Sequence, residues 1–189
     1  MGNVSERRKQ PPQVGVSVVI LALGPVPQSD VGAGAASSGM GSTLWMPLVK
    51  RVRQPFLGQW ALPGGGLRAD HSLEQSAYAA LESTTSLHPK YLEQLYTFGD
   101  PARSHGGLPM VSIVYWALVG EADGRIDFAG GDNVKWFPVN HLPELAFDHR
   151  TIVEYAMNRL RGKIESPDIA TRLVGKRFTL SQLHDVYEA

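Results

Sequence analysis

The stretch "LPGGGLRADHSLEQSAYAALESTTSL", residues 62–87, decides the fold of this 189-residue chain. Its three consecutive glycines, residues 64–66, predict a tight turn, because glycine adopts backbone conformations that other residues avoid. Ser72, with Gln75 three residues later, forms the capping-box pattern that starts a helix, and Pro89 predicts its end. The aliphatic residues behind the cap recur every four positions and predict a buried helix face: Leu73, Ala77 and Leu81.

The sequence before this turn predicts a tail, strands and a long loop. Residues 1–13 are polar and punctuated by proline, which is typical of a flexible terminus. The β-branched run "VGVSVVILALG", which begins at Val14, predicts a buried strand. Residues 25–43 offer almost nothing to bury, so we expect a flexible loop. "LWMPLVKRV" predicts a strand that Pro47 restricts to an edge or a bulge, and "GQWALPGGG" predicts a short strand entering the turn.

The sequence after the amphipathic helix predicts two further strands, "MVSIVYWALVG" and "VKWFPV". Strands and helices do not alternate regularly, which favours an α+β fold in which helices cover a mixed sheet. Asp148 is placed to cap a helix that runs to Leu160 and ends at Gly162. Two more short helices are predicted over residues 166–175 and 179–189. The inner side of the first of these three helices comprises Ile152, Val153, Ala156 and Leu160.

The composition excludes several classes of function. Lys and Arg together number 18, as do Asp and Glu, so no global basic field indicates nucleic acid. The absence of cysteine excludes disulfides, thiolate nucleophiles and cysteine-bound zinc, and fits a reducing compartment. The longest apolar run, residues 14–23, is too short to cross a bilayer. We therefore expect a cytoplasmic protein without a membrane segment.

The stretch from Trp60 to Leu87 resembles the Nudix box, a loop and helix that bind divalent cations in diphosphate hydrolases. The scaffold positions of the box are kept, with its first glycine at Gly65 and its aliphatic residues at Leu81 and Leu87. The remaining positions differ: His71 stands for the first glutamate, Ala79 and Ala80 for the Arg-Glu pair, Ser83 and Thr84 for the Glu-Glu pair, and Ser86 for the closing glycine.

This replacement removes the metal ligands of the box. Its three helical carboxylates share one helix face, which here presents Ala80, Ser83 and Thr84. Mg²⁺ prefers anionic oxygen ligands, which two hydroxyls and a methyl group do not provide. Glu74 and Glu82 are eight residues apart, roughly 12 Å along a helix, and cannot share an ion. We therefore expect no metal site and no catalytic residue, although small residues packing against a sheet would equally explain this face.

The flanking sequences "VKRVRQPFLGQWALPGGGLR" and "LYTFGDPARSHGGLPMVSIVYWALVG" resemble the NrtR-type regulators of NAD metabolism. In that family a Nudix-like domain senses ADP-ribose or a related nucleotide, and a winged helix binds operator DNA. The segments "AFDHRTIVEYAMNRLRGKIE" and "FTLSQLHDVYEA" look like the linker helices and the first helix of its helix-turn-helix. A second helix, which would enter the major groove, does not follow within these 189 residues. We therefore expect the DNA-binding element of this chain to lack its recognition helix.

The resemblance implies a Nudix-like α/β/α sandwich over residues 14–145, followed by linker helices and a partial winged helix-turn-helix over residues 146–189. It further implies an inactive, homodimeric sensor of ADP-ribose or a related nucleotide, without a cofactor, in a repressor of NAD metabolism. Two alternatives stay open. One is an active Nudix hydrolase of ADP-ribose or a nucleoside diphosphate derivative that recruits carboxylates from outside the box, and the other is a degenerate interaction scaffold.

The candidate ligand contacts lie on both sides of the glycine turn. Basic residues before it and backbone amides within it suit a diphosphate, although a solvated strand end explains the charges as well. Trp60 suits either adenine stacking or the core, and the loop with Arg103 and His105 is either a binding loop or simply exposed. His71 is better explained as an exposed residue at the start of the helix than as a ligand contact. The predicted ligand-binding residues are Lys50, Arg51, Arg53, Trp60, Gly64, Gly65, Gly66, Arg68 and Arg103.

Overall fold

A seven-stranded mixed sheet with a helix on each face forms the centre of the protein. The computed structural model describes residues 11–27, 42–89, 91–104, 109–120 and 123–164. The strands are β1 (Gln13–Pro25), β2 (Ser42–Lys50), β3 (Trp60–Ala61), β4 (Gly64–Gly66), β5 (Tyr91–Phe98), β6 (Met110–Val119) and β7 (Val134–Pro138). The helices are α1 (Leu73–Thr85) and α2 (His149–Ile164), and short 3-10 turns occupy Pro101–Ser104 and Val139–His141.

Strand β1 organises the sheet. It pairs in parallel with β6 along one edge, from Gln13 opposite Met110 to Ala22 opposite Val119. Along its other edge it pairs antiparallel with β4 near its start and with β2 at its end. Strand β5 continues the sheet beyond β6, while β3 and β7 both pair with β2. The predicted mixed sheet is therefore confirmed.

The two helices cover opposite faces of this sheet because β1 alternates its buried side chains. Val16, Val18 and Ile20 belong to the core cluster that includes Ala77 and Leu81 of α1. Val19 and Leu21 belong to the second cluster, to which α2 contributes its buried residues Ile152, Val153, Ala156, Met157 and Leu160. Since successive strand residues point to opposite faces, this division confirms the predicted α/β/α sandwich.

Helix α1 begins as the sequence predicts and ends earlier. The Ser72 hydroxyl accepts from the Gln75 amide at 3.1 Å, and the Gln75 side chain accepts from the Ser72 amide at 2.8 Å. At the other end Ser86 takes a left-handed conformation with φ of 56°, and its amide donates to the Glu82 carbonyl. The prediction that Pro89 ends the helix is wrong, because this left-handed residue has already turned the chain.

The prediction that Pro47 lies on an edge or a bulge is also wrong, because β2 has partners on both sides. Lys50 donates to the Asn133 carbonyl beside β7, and antiparallel alternation therefore turns the ring nitrogen of Pro47 away from β7. On the side of β2 opposite β7, β1 pairs with residues 42–45 and β3 pairs with residues 49–50. Pro47 lies between the two ladders, where a missing N–H costs no strand hydrogen bond.

Other predicted boundaries shift by a few residues. Strand β1 starts at Gln13 and reaches Pro25, and β2 starts at Ser42, so both ends of the predicted loop at 25–43 are strand. Helix α2 passes through Gly162 to Ile164. The ion pair between Lys163 and Glu93, with Nζ 2.7 Å from both carboxylate oxygens, joins this last turn to β5.

Several predictions lie outside the described residues. They concern the tail up to residue 10, residues 28–41 of the loop, and the helices at 166–175 and 179–189. Within the ranges that are described, neither helix combines the length and the apolar character that crossing a membrane requires.

Candidate functional site

A cleft of about 860 Å³ opens on the α2 side of the sheet, where β1 and β6 begin. Its origin is a change in side-chain size along one sheet face. On β1 the residues facing α2 are Gly15 and Ser17 before the bulky Val19, and on β6 Ser112 precedes Trp116. The small residues leave space that the bulky ones fill further along. This change from small to bulky residues is visible in the sequences of both strands and could have predicted the cleft.

Three basic side chains form the rim of the cleft, namely Lys50, Arg51 and Arg53. Lys50 and Arg53 are exposed, whereas Arg51 is half-buried. The Arg51 Nε donates to the Pro55 carbonyl at 2.8 Å, and its Cζ lies 4.6 Å from the centroid of the Phe147 ring. The guanidinium is thus held in place beside the cleft, and the Lys50 Nζ lies 6.0 Å from the centroid of the Trp60 ring. The structure brings these three predicted residues together.

The three glycines also line the cleft, but they form strand β4 rather than the predicted turn. The Leu67 amide donates to Val14, and the Val18 amide donates to Pro63. Ladder alternation therefore directs the Gly65 amide toward β1 and the Gly64 and Gly66 amides away from it. A Cβ on Gly64, which has φ of 155°, would lie 2.3 Å from the Val16 carbonyl oxygen, so only glycine fits there.

Arg103 lies at the bottom of the cleft, and the alternative of a plain exposed loop residue is wrong for it. Only 8% of the residue is exposed. Its Nε and Nη2 donate to both carboxylate oxygens of Asp148, at 2.8 and 2.9 Å. Its Nη1 donates to the Ser112 hydroxyl at 2.8 Å and contacts the Phe98 and Met110 carbonyls. The buried charge is therefore paired and hydrogen-bonded, as burial of an arginine requires.

His149 also lies at this position, and the sequence analysis did not single it out. The residue is 8% exposed, and its Nδ1 accepts from the Leu62 amide at 3.0 Å. Burial lowers the pKa of His149 to about 4, so the ring is neutral at pH 7. Asp148 does occupy the predicted start of α2, with its carbonyl accepting from Ile152, but Arg103 holds its carboxylate.

Other predicted site residues lie away from the cleft. Trp60 is half-buried against the core, packs edge-on against Phe137 at 5.1 Å and does not line the cleft. Arg68 pairs with Asp70 on the surface, where its side chain is 65% exposed. His71 is half-exposed and outside the lining. His105 lies outside the described residues.

The helix face that replaces the metal ligands satisfies its own polar groups. The Ser83 and Thr84 hydroxyls both donate to the Ala80 carbonyl, at 3.1 and 2.7 Å. No residue of α1 lines the cleft. Among the described residues there is no group of three or more His, Cys, Asp or Glu that could hold a metal ion.

The charge of the cleft suits an anion. Of the described residues that line it, four are Lys or Arg and none is Asp or Glu. One of the four, Arg103, is neutralised by Asp148, which leaves three rim cations without a carboxylate partner in the lining. Backbone amides at a strand edge and guanidinium groups are ligands that phosphate groups prefer.

Comparison with known proteins identifies a family and several relatives. Residues 32–156 match the profile described as NUDIX domain. The ADPR responsive transcriptional repressor NtrR of Acinetobacter baylyi is 30% identical over 145 residues, which are 75% of this chain and 58% of the repressor. The ADP-ribose pyrophosphatase of Methanocaldococcus jannaschii is 33% identical over 118 residues, 61% of this chain and 67% of that enzyme. This chain thus spans little more than half the length of the repressor.

Solved structures of Shewanella oneidensis NrtR are similar in fold. The crystal structure of NrtR has a TM-score of 0.73 at 32% identity, covering 93% of this chain and 76% of that one. NrtR complexed with a 27mer DNA has a TM-score of 0.71 at 32% identity, with 93% and 74% covered. The NUDIX domain of NrtR complexed with ADP ribose has a TM-score of 0.59 at 32% identity, with 84% and 94% covered.

Proposed function

This chain belongs to the Nudix family, and from that membership and its cleft we propose that it is a catalytically inactive sensor of ADP-ribose or a related NAD-derived nucleotide. The sensor is part of a transcriptional regulator, a repressor of NAD metabolism. The observation that supports this proposal most directly is the cleft lining, in which the described residues include three rim cations and no carboxylate. The names of the Acinetobacter and Shewanella relatives support the choice of ligand.

Lack of hydrolysis is expected from helix α1 together with the cleft lining. Metal-assisted attack on a diphosphate needs an ion that activates water and polarises the phosphorus centre. The positions that hold this ion in the Nudix box are Ala80, Ser83 and Thr84, and both hydroxyls are bonded to their own helix. Among the described residues of the cleft, a diphosphate would therefore meet groups that bind it but no carboxylate or metal site that activates water.

Calorimetry tests the proposal with ADP-ribose, NAD and a nucleoside diphosphate as ligands. We expect ADP-ribose to bind, and Arg51→Gln to weaken its binding about tenfold, because a charge-assisted contact contributes roughly 1.5–3 kcal/mol. Arg68→Gln is the matched control, because Arg68 is exposed and lies outside the lining. Absence of binding by all three ligands at millimolar concentration would refute the sensor function.

A second candidate function is hydrolysis of ADP-ribose or a nucleoside diphosphate derivative. The observation in its favour is the 33% identity to the Methanocaldococcus pyrophosphatase. The two candidates differ in one measurement, the release of products from ADP-ribose in the presence of Mg²⁺ or Mn²⁺. Turnover that a chelator abolishes would establish the enzyme and overturn the sensor, whereas binding without turnover supports the sensor.

The regulator proposal includes DNA binding and dimerisation. We place the sensor domain in residues 14–145 and the linker and helix-turn-helix part in residues 146–189, in a cytoplasmic homodimer. By these bounds helix α2 lies in the second part, and it packs its apolar face into the core of the first. A gel-shift titration with operator fragments, with and without ADP-ribose, together with sedimentation of the free chain, tests these assignments.

A further inference from the structure

The bottom of the cleft is polar but has no net charge. We call Ser17, Ser112, Arg103 and His149 its floor, because they are the polar lining residues with at most 9% of their surface exposed; the apolar Ala61 and Leu62 are buried beside them. The Arg103 charge is cancelled by Asp148 at 2.8 Å. His149 is neutral, and the two serines provide only hydroxyls. The floor thus differs from the rim, where Lys50, Arg51 and Arg53 have no carboxylate partner in the lining.

The proton of His149 has a fixed position. Since Nδ1 accepts from the Leu62 amide, it carries no hydrogen, and the neutral ring must hold its proton on Nε2. Among the described residues Nε2 has no hydrogen-bond partner, although His149 lines the cleft. The ring orientation is set by the Leu62 contact and by the Phe147 ring, whose centroid lies 5.5 Å from that of His149. His149 is therefore a preoriented, uncharged donor.

We propose that His149 is a specificity-determining residue that donates from Nε2 to a hydroxyl oxygen of the ligand's terminal sugar, while the phosphates lie at the cationic rim. This inference rests on the proposed function and adds the part of the ligand that the floor recognises.

The charge distribution favours a sugar over a phosphate at the floor. A desolvated phosphate needs an unpaired cation, and the one floor cation already binds Asp148 and Ser112. A sugar hydroxyl accepts from the His149 ring without needing any charge. The Ser112 oxygen accepts from Arg103, so its own hydrogen remains available for a second sugar oxygen.

Two substitutions separate the donor from the backbone contact. His149→Asn keeps an oxygen near the position of Nδ1 to accept from Leu62 and removes the Nε2 donor. His149→Gln reaches the position of Nε2 with an amide donor. His88→Asn is the control, because His88 is exposed and does not line the cleft.

Calorimetry on the full chain compares ADP-ribose with ADP, which lacks the terminal sugar. We expect His149→Asn to weaken ADP-ribose binding about tenfold and to leave ADP binding unchanged, because one buried hydrogen bond is lost only with the sugar. His149→Gln regains part of the selectivity, and His88→Asn retains all of it. Nitrogen NMR of the wild type should show the Nε2–H tautomer in the free chain and a shift of that N–H with ADP-ribose but not with ADP.

The outcomes separate this inference from the function on which it rests. If the wild type binds neither ligand, this inference fails, and if it does not bind NAD either, the sensor function fails with it. If the wild type binds ADP-ribose but His149→Asn binds it within twofold, the inference fails and the function stands. Equal losses for ADP-ribose and ADP would show that His149 shapes the cleft without contacting the sugar, which also overturns the inference.

Discussion

On the face of the sheet that α1 covers, β1 presents Val16, Val18 and Ile20, whereas on the face that α2 covers the same strand presents Gly15 and Ser17. The first face is closed and apolar, and the second opens into a cleft with a polar floor. The Nudix-box helix lies on the closed face, and the cleft is lined without it. The α1 face of β1 is thus packed along its length, whereas the α2 face is packed at Val19 and Leu21 and open only at the start of the strand, where Gly15 and Ser17 lie.

The largest effect on the open face should come from Arg103→Met. The substitution leaves the Asp148 carboxylate without the guanidinium that now holds both its oxygens. Removing one partner of a buried pair costs roughly 3–5 kcal/mol, and because the Asp148 side chain is 22% exposed we expect a loss near the lower end of that range in the free energy of unfolding. Urea denaturation measures it, and a loss below about 1 kcal/mol would show that Asp148 finds another partner.

On the closed face Leu81→Ala should cost about 3 kcal/mol, within the 2–5 kcal/mol typical of a buried leucine. Leu81 is fully buried in the cluster that joins α1 to β1. The affinity of the Leu81→Ala variant for ADP-ribose, measured below its thermal transition, should match that of the wild type. A matching loss of affinity and stability would show that the two faces are coupled.

Lowering the pH should destabilise the open face through His149. Burial lowers its folded pKa to about 4 from 6.5, while Asp148 opposes this shift and the Arg103 and Arg51 charges reinforce it. The unfolded chain therefore takes up the proton first, and stability that is complete above pH 6.5 falls as the pH drops to 4. The loss approaches about 3 kcal/mol.

Urea midpoints at pH 7.5 and 4.5 measure this loss. The chain with His149→Asn has no such group, so its midpoint should fall less over the same interval. Equal decreases in the two proteins would assign the acid sensitivity to other groups.

The smallest effect should come from Thr84→Val on the former metal face. The hydroxyl donates only to the Ala80 carbonyl of its own helix, so we expect a stability change within about 0.5 kcal/mol. Affinity for ADP-ribose should also stay within twofold. A larger loss of affinity would place this face in contact with the ligand and end the distinction between the two faces.

Much of the fold could be predicted from local signals. The capping box at Ser72 and the four-residue spacing of Ala77 and Leu81 give the helix directly, because both depend on neighbours in sequence. The role of Pro47 could not be predicted, since it depends on where two other strands stop.

The site was predictable only in part. The basic residues before the glycines do meet them at one cleft, because β2 leads directly to that edge. The role of Arg103 depends on Asp148, 45 residues away, and the role of His149 depends on Leu62, 87 residues away. Such contacts arise from the packing of α2 on the sheet and leave no mark in local spacing.

Helix α2 is joined to the rest of the protein near both ends, by Asp148 with Arg103 beside its first turn and by Lys163 with Glu93 in its last. Its sixteen residues span about 24 Å. The chain that follows Ile164 is therefore attached to a helix whose first turn lies beside the cleft and whose last turn is fixed to the sheet by an ion pair. Any displacement of the first turn must bend the helix, tilt it as a rigid body or break one of the two ion pairs.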